Sequence, residues 1–455
     1  MKNLKQPLIR QSFAFFLLLL SNLFYLQGCG SSSSGNPNPD PLAITTTSLP
    51  GGQVGVAYIA SLVATGGTTP YNWTLIGGTL PANLQLNAAT GAITGTPAGP
   101  VTNLTLTVQV QDSGNPVQTK MANLVLTINP ALGVGVSISP KGGGLVLNQT
   151  LPLTATVTND VGAAGVTWSV STGGQLTGQS TTKASFSSAV AGVYTIAATS
   201  KADGTTAASI TVGVTDLAGV TTYHNNLSRN GSNTQEYALT TANVTASSFG
   251  KLFSCTVDGA IYAQPLWVPS LAIGGGTHNV VFVATTHDSV YAFDADTSPC
   301  LLYWKKTLLS AGETFVNFND VHTTDIQPDI GIIGTPVIDL TSKTLYVVSK
   351  SEDAGTSCIP SSACHQRLHG LSLIDGSEKF GGPANIDASI TVAGTGDGSS
   401  GGVLGFNSLT ENQRPGLALV NGVVYVSWAS HGDNDPYHGW VIGFSAGNLG
   451  VASVV

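Results

Sequence analysis

Short runs of alternating apolar and polar residues, separated by glycine, proline and asparagine, fill the first half of the chain. Residues 58–63 and 104–110 are two such runs, and residues 151–157 form a third. Alternation with a period of two places one row of side chains in a core and the other in solvent, as in the strands of a β-sandwich. We therefore predict an all-β protein that begins with two sandwiches, over residues 43–130 and 131–216.

Residues 80–97 (LPANLQLNAATGAITGTP), together with the strand that ends at Asp112, carry a recognisable pattern. It resembles the putative-Ig, cadherin-like repeat of bacterial surface proteins. The resemblance implies a sandwich with Trp73 between its two sheets. Cadherin relatives bind calcium through clustered carboxylates, and this segment offers only Asp112, so calcium is implied here by the resemblance alone.

The second sandwich contains the strands Gly-Val-Thr-Trp-Ser-Val (165–170) and Gly-Val-Tyr-Thr-Ile (192–196). These strands resemble the core strands of a bacterial Ig-like domain. The resemblance implies packing roles for Trp168 and Tyr194, and the segment shows no group with evident chemistry.

From residue 217 the chain changes to longer repeats. Each repeat starts near a proline, Pro265, Pro336 or Pro415, at intervals of 71 and 79 residues, and continues through two strongly apolar runs. Self-similarity on this scale is typical of propellers, whose blades are four-stranded sheets. We predict an incomplete β-propeller of about three blades over residues 217–455. Because closed propellers usually have about four to eight blades, we expect the sequence to be a fragment of a longer one.

Residues 292–297 (AFDADT) with Trp304 loosely follow the blade motif A-x-D-x-x-T-G-x-x-x-W. The region resembles the quinoprotein-like propellers, which are built from PQQ-like repeats. That resemblance implies pyrroloquinoline quinone and calcium as cofactors. The quinoprotein dehydrogenases also hold their quinone against a disulfide of adjacent cysteines, and this chain has no adjacent cysteines, so the cofactors rest on the resemblance alone.

The N-terminus combines three basic residues, an apolar stretch over residues 13–26 and the sequence Leu26-Gln-Gly-Cys29. It resembles the signal peptide (1–28) and lipobox of a bacterial lipoprotein. The resemblance implies export, lipidation of Cys29 and anchoring in the outer membrane, with a Ser- and Pro-rich tether over residues 29–42. The alternatives are an ordinary secretory signal or a membrane-spanning helix, although the apolar run is interrupted and short for a span.

Charge is distributed unevenly along the chain. Residues 30–215 hold four bases and four acids, which is typical of an inert spacer, whereas residues 216–455 hold nine Lys and Arg against twenty Asp and Glu, together with all eight histidines. Groups able to bind protons, metals or ligands are therefore concentrated in the third region. No basic stripe exists to neutralise phosphates, which disfavours a nucleic-acid partner.

Four cysteines remain besides Cys29, and an even number in an exported protein favours disulfides. Pairing Cys358 with Cys364 closes a short loop and is the most plausible of three arrangements, which leaves Cys255 to pair with Cys300. Free buried thiols are the alternative.

One loop concentrates candidate metal ligands: His431, Asp433, Asp435 and His438 lie within eight residues. Imidazole and carboxylate are suitable donors for a transition metal or calcium. The alternative is a polar loop whose side chains cap turns. No catalytic residues can be assigned from the sequence.

We predict a surface or periplasmic lipoprotein in which Ig-like domains present a propeller that binds a ligand or a protein partner. One alternative is a quinone- or metal-dependent oxidoreductase. Another is a scaffold for outer-membrane assembly.

Overall fold

The computed structural model describes residues 40–241, 243–246, 249–432 and 435–455. The described residues form an all-β protein that includes Ig-like domains and is divided into two compact units, which meet in sequence between Ala131 and Leu132. The predicted signal peptide, Cys29 and most of the predicted tether lie outside the described residues. Within the described part of the chain, no helix is long and apolar enough to cross a membrane.

The first unit contains nine short strands within its described residues. They are β1 (Ala43–Ile44), β2 (Gly52–Gln53), β3 (Tyr58–Ser61), β4 (Ala64–Thr65), β5 (Asn72–Gly77), β6 (Leu84–Leu86), β7 (Ala92–Gly95), β8 (Val101–Gln111) and β9 (Thr119–Asn129). One sheet has the order β2-β9-β8-β5, a second has the order β3-β7-β6, and β1 pairs with β4.

Strand β8 shows how the alternating pattern produces the core of this unit. Leu106, Val108 and Val110 are fully buried, while the residues between them point away from the core. Trp73 is 3% exposed and packs in the same core, which confirms its predicted position. Asp112, at the end of this strand, accepts hydrogen bonds from backbone N–H groups, so its role here is to fix a turn.

The second sandwich consists of two four-stranded sheets. Its strands are β10 (Gly135–Ser139), β11 (Gly142–Val146), β12 (Leu151–Thr158), β13 (Val166–Val170), β14 (Gln175–Thr177), β15 (Lys183–Ser187), β16 (Gly192–Ser200) and β17 (Ala207–Thr215). The sheet orders are β10-β12-β15-β14 and β11-β17-β16-β13. Trp168 and Tyr194 are buried between them, as predicted.

This second sandwich belongs to the same compact unit as the sheets that follow it. The side chain of Gln149 donates a hydrogen bond to Asp296, in the turn after the third of the following strands, at 2.8 Å, and Asn279 donates to the same carboxylate at 2.8 Å. On β17, any side chain at Gly213 would collide with the backbone of Ala238. The sandwich is therefore packed into the third region instead of acting as a detached spacer.

Within its described residues, the third region adds three successive antiparallel sheets of at least four strands and one separate two-stranded sheet. Its strands are β18 (Leu266–Ile273), β19 (Gly276–Ala284), β20 (Ser289–Asp294), β21 (Leu302–Thr307), β22 (Glu313–Asn317), β23 (Asp329–Ile330), β24 (Val337–Asp339), β25 (Thr344–Asp353), β26 (Cys364–Ser372), β27 (Ala384–Ile386), β28 (Thr391–Ala393), β29 (Val403–Gly405), β30 (Glu411–Asn412), β31 (Ala418–Val420), β32 (Val423–Ser430), β33 (Trp440–Ser445) and β34 (Val451–Val454). Single-turn 3-10 helices lie at Phe318–Val321 and Ser361–Ala363.

Strands β28 and β29 pair only with each other, and each of the three larger sheets is built around four strands that pair in chain order. The first is β18-β19-β20-β21, the second contains β24-β25-β26-β27, and the third contains β31-β32-β33-β34. Strand β22 pairs with the C-terminal end of β25 and in turn pairs with β23, and β30 pairs with the C-terminal end of β32.

Strand β25 explains how the sheets stack on one another. Its residues alternate between two cores: Leu345 and Val347 pack with the first sheet, and Tyr346 and Val348 pack with the third. Both faces are therefore buried, which requires the continuous apolar run of this strand instead of an alternating one. The three sheets consequently pack face to face, with the second in the middle.

Candidate functional site

A cavity of about 710 Å³ lies next to the segments that lead into the inner strands of the three sheets. Tyr262 precedes β18, Thr335 precedes β24 and Gly416 precedes β31, and all three line the cavity. Concave sites of this size are large enough for a small ligand.

The segment 220–229 crosses the inner strands of all three sheets beside this cavity. Its first residue exchanges backbone hydrogen bonds of 2.8 and 2.9 Å with Trp267 on β18, and its second accepts one of 2.8 Å from the N–H of Ile338 on β24. At its other end, Arg229 Nη2 donates to the carbonyl of Leu417 at 3.0 Å. The segment thus links the three sheets where they come together.

The cavity wall combines aromatic, charged and neutral polar groups. Tyr262 is 47% exposed, and Asp325 and Arg414 are also exposed. Asn412 and Ser430 supply further hydrogen-bonding groups. No ion pair of Arg414 is found among the described residues. These groups can stack on a ring and donate or accept hydrogen bonds around it.

The structure gives the histidines of the predicted metal loop different partners. His431 is 1% exposed, and its Nε2 lies 2.8 Å from Nζ of Lys350. His438 Nε2 lies 2.6 Å from the backbone carbonyl of Asp397. The two imidazoles are thus not brought to one centre through these nitrogens. Asp433 lies outside the described residues, so the complete set of four ligands, with Asp435, stays a prediction.

Lys350 forms the centre of a buried polar cluster beneath the loop. Its ammonium nitrogen lies 3.1 Å from the carbonyl of Leu409 and 3.0 Å from that of Glu411, in addition to the contact with His431. Burial lowers the pKa of Lys350 to about 7. A neutral amine has two N–H donors and one lone pair, so it can satisfy the two carbonyls and accept a hydrogen bond from the imidazole.

Asp288 accepts a hydrogen bond from the backbone N–H of Lys350, and the side chains of Glu411 and Glu352 are also buried. Burial raises the pKa of Glu411 to about 7 and raises that of Asp288 well above its usual value. The pKa of Glu352 is also raised to about 7, mainly by burial and secondly by the charge of Asp320. Burial disfavours the charged form of each group, so this part of the protein holds protons that an exposed carboxylate would release.

A second buried network has the connectivity of a catalytic triad. Ser349 Oγ lies 2.9 Å from Nε2 of His369, whose Nδ1 lies 2.6 Å from Glu378. Nucleophile, base and orienting carboxylate are thus in hydrogen-bond order. Ser349, however, is 1% exposed, so no substrate can reach its oxygen, and the network is a structural one.

The four described cysteines form two disulfides. Cys255 is bonded to Cys300, and Cys358 is bonded to Cys364. These are the pairs favoured by the short loop between Cys358 and Cys364. Each pair packs in a small apolar cluster at the edge of the sheets.

Comparison with protein families gives one match. Residues 40–129 match the He_PIG family, described as Putative Ig domain. The first described unit is thus an Ig-like domain, and the match covers the same sandwich that the sequence pattern predicts. A search of curated proteins found no match.

Several solved structures of Ig domains resemble this chain only loosely. The N-terminal four Ig domains of Dscam1 isoform 9.44 align at a TM-score of 0.17 and 14% identity, covering 39% of this chain and 46% of that one. Dscam1 isoform 4.44 aligns at a TM-score of 0.16 and 16% identity, covering 39% of this chain and 46% of that one. A chain of the complex of Dpr2 Ig1-Ig2 with DIP-Theta Ig1-Ig3 aligns at a TM-score of 0.17 and 13% identity, covering 38% of this chain and 98% of that one. This chain thus spans about half of the Dscam1 structures. Scores this low carry no argument about function.

Sequence reasoning missed most of the cavity residues. Asp325 lies close in sequence to Asp320 and Asp329, but Tyr262 and Arg414 carry no local motif. They meet only because equivalent segments of three sheets converge, which a single sequence does not reveal. The association of Ser349 with His369 across two strands was hidden for the same reason.

Proposed function

We propose that this chain is an exported, lipid-anchored binding protein whose third region binds carbohydrate in the cavity beside the inner strands. In this proposal the three stacked sheets are blades of a β-propeller. Three observations support that architecture: four-stranded pairing in chain order, face-to-face packing of the sheets, and convergence of their inner strands on one segment.

The proposal that the ligand is a carbohydrate rests on the composition of the cavity wall. A sugar presents an apolar ring face and a rim of hydroxyl groups. Tyr262 offers a half-exposed ring for the face, while Asp325 and Arg414 offer an acceptor and donors for the hydroxyls. Carboxylate and guanidinium groups form strong charge-assisted hydrogen bonds. Because both charges are present, the wall suits neutral or mildly charged sugars better than a strongly ionic ligand.

Calorimetric titration of the purified chain with oligosaccharides tests this function. The probes are neutral malto- and cello-oligosaccharides and, as an acidic series, oligogalacturonates. We expect at least one series to bind, and we expect Tyr262→Ala and Asp325→Asn each to weaken binding about tenfold, equal to about 1.4 kcal/mol.

Tyr425→Ala is the matched control, since Tyr425 is a 38% exposed tyrosine on β32 that does not line the cavity. It should leave affinity unchanged. Failure of every series to bind, or equal binding by all variants, would contradict the proposal.

Anchoring is a separate part of the proposal and rests on the lipobox sequence that ends at Cys29. Metabolic labelling with a fatty acid should mark the wild-type chain in membranes. Cys29→Ser should abolish both the label and membrane retention. The oxidoreductase and scaffold alternatives, with calcium, pyrroloquinoline quinone or an assembly partner, stay predictions.

A further inference from the structure

Three adjacent strands of the second sheet bring one imidazole and two carboxylates together. Glu313 on β22 stands directly opposite Asp353 on β25 in the antiparallel register. His365 on β26 stands opposite Ser351, two residues away from Asp353 and on the same face of the sheet. Side chains with this spacing share a face because the strand period is two.

The distances between the donor atoms fit a shared metal ion. His365 Nε2 lies 3.0 Å from Asp353 Oδ1 and 3.9 Å from Glu313 Oε1, and the three donor atoms lie within 4.8 Å of one another. Zinc binds nitrogen and oxygen donors at about 2.0 to 2.2 Å. Donors around one tetrahedral ion are therefore about 3 to 4 Å apart, so small side-chain adjustments would complete the set.

Electrostatics at this face favour an added positive charge. Like charges directly opposite each other in an antiparallel pair are destabilising. Arg367 compensates Glu313 through two hydrogen bonds of 2.6 and 2.9 Å. Among the described residues, the ion pair of Asp353 is with His365. The second carboxylate thus lacks a permanent cation.

The cluster is accessible to solvent, and a disulfide constrains the segment that joins Asp353 to His365. The side chains of His365 and Asp353 are 25% and 52% exposed. The loop that joins them contains the disulfide between Cys358 and Cys364, and Cys364 is adjacent to His365. His365 also lines a polar groove of about 710 Å³ with Asn385 and other residues. A metal ion here would retain an open side for water or a further ligand.

We propose that Glu313, Asp353 and His365 bind one divalent transition-metal ion, with zinc as the preferred ion. An imidazole with two carboxylates suits zinc and its neighbours. Calcium is a poorer match because its protein ligands are oxygen atoms. This site is distinct from the loop of His431 and His438 and from the cavity beside the inner strands, so it does not depend on the proposed carbohydrate binding.

Titration of the purified, metal-stripped chain with zinc chloride, followed by calorimetry, tests the site. Cobalt(II) gives a second readout, because its visible absorption changes when it leaves water for a protein site of low coordination number. We expect one equivalent of zinc for the wild type. His365→Gln and Asp353→Asn should each lower the affinity at least tenfold.

His278→Gln is the matched control, since His278 on β19 is also a partly exposed histidine paired with a carboxylate, that of Asp294, and lies outside both candidate metal sites. It should bind zinc as the wild type does. Zinc should also raise the melting temperature of the wild type and of this control, but not that of His365→Gln, because a ligand that binds only the folded state stabilises it. In the absence of metal, the wild type and all variants should have similar melting temperatures. That result would show that the variants fold.

Three results would overturn the proposal. The first is a wild-type chain that binds no zinc. The second is unchanged affinity in both His365→Gln and Asp353→Asn. The third is loss of binding in His278→Gln, which would show that the losses in the other variants are not specific to the proposed site.

Discussion

The buried lysine at the centre of the third region gives a sharp prediction about pH. Lys350 is fully buried, and burial lowers its pKa from 10.5 to about 7. In the unfolded chain its pKa returns to its ordinary value. Between these two pKa values the unfolded state binds one more proton than the folded state, so raising the pH favours folding.

The expected magnitude follows from the difference in bound protons. One full proton is worth about 1.4 kcal/mol per pH unit. From about pH 7.5 to about pH 9.5 the lysine should therefore add about 2 kcal/mol to the free energy of unfolding. This window lies above the raised pKa values of Glu352 and Glu411, so their titration contributes little to the slope.

Lys350→Met removes the titrating amine and retains a hydrophobic side chain of similar length. Urea unfolding followed by tryptophan fluorescence should show the rise in stability for the wild type and not for this variant. Trp428 and Trp440, in the core shared with the third sheet, report on the same region. Lys305→Met is the control, because Lys305 is 43% exposed and its pKa is raised instead of lowered. An equal pH slope in wild type and Lys350→Met would show that the buried amine does not cause the rise in stability.

Two further predictions concern charged groups with well-defined partners. Arg367→Met leaves Glu313, which is 6% exposed, without its guanidinium partner. This variant should lower the free energy of unfolding by about 3 to 5 kcal/mol. Adding Glu313→Gln should recover much of the lost stability, and no recovery would contradict a direct interaction between the two side chains. Hydrogen bonds from the backbone N–H groups of Gln118 and Thr68 lower the pKa of Asp112 in the folded state. The stability that this carboxylate contributes is therefore fully present above its unfolded-state pKa and is lost as the pH falls through its folded-state pKa. Asp112→Asn should flatten the acid limb of the thermal-unfolding profile, and an unchanged limb would show that the carboxylate does not contribute.

Local pattern was sufficient for the individual strands but not for their long-range association. Alternation along β8 predicted which residues enter the first core, and Trp73 lies where the pattern placed it. The short loop between Cys358 and Cys364 favoured a bond that the structure contains. These features depend on neighbours in sequence or on a strict period of two.

The candidate sites depend on contacts between distant segments. Glu313 and Asp353 are forty residues apart and meet through strand register, which no motif announces. The loop of His431 and His438 looked like one centre because its residues are adjacent in sequence. In the structure, burial directs His431 towards Lys350 while His438 stays near the surface.

Packing between regions was equally hidden from the sequence. The neutral charge balance of the second sandwich suggested a spacer. Its contact with the third region instead rests on a few uncharged groups, such as the side chain of Gln149 and the buried backbone of Gly213, which lies close to that of Ala238. Composition does not detect an interface of that kind.

Hydrogen-exchange mass spectrometry of the chain with and without a bound oligosaccharide tests the proposed binding cavity most directly. We predict that protection on binding is concentrated in residues 220–231, 258–264 and 412–418, which lie beside the cavity. Protection confined to the groove around Asn385, or binding without protection in any of these segments, would contradict this prediction.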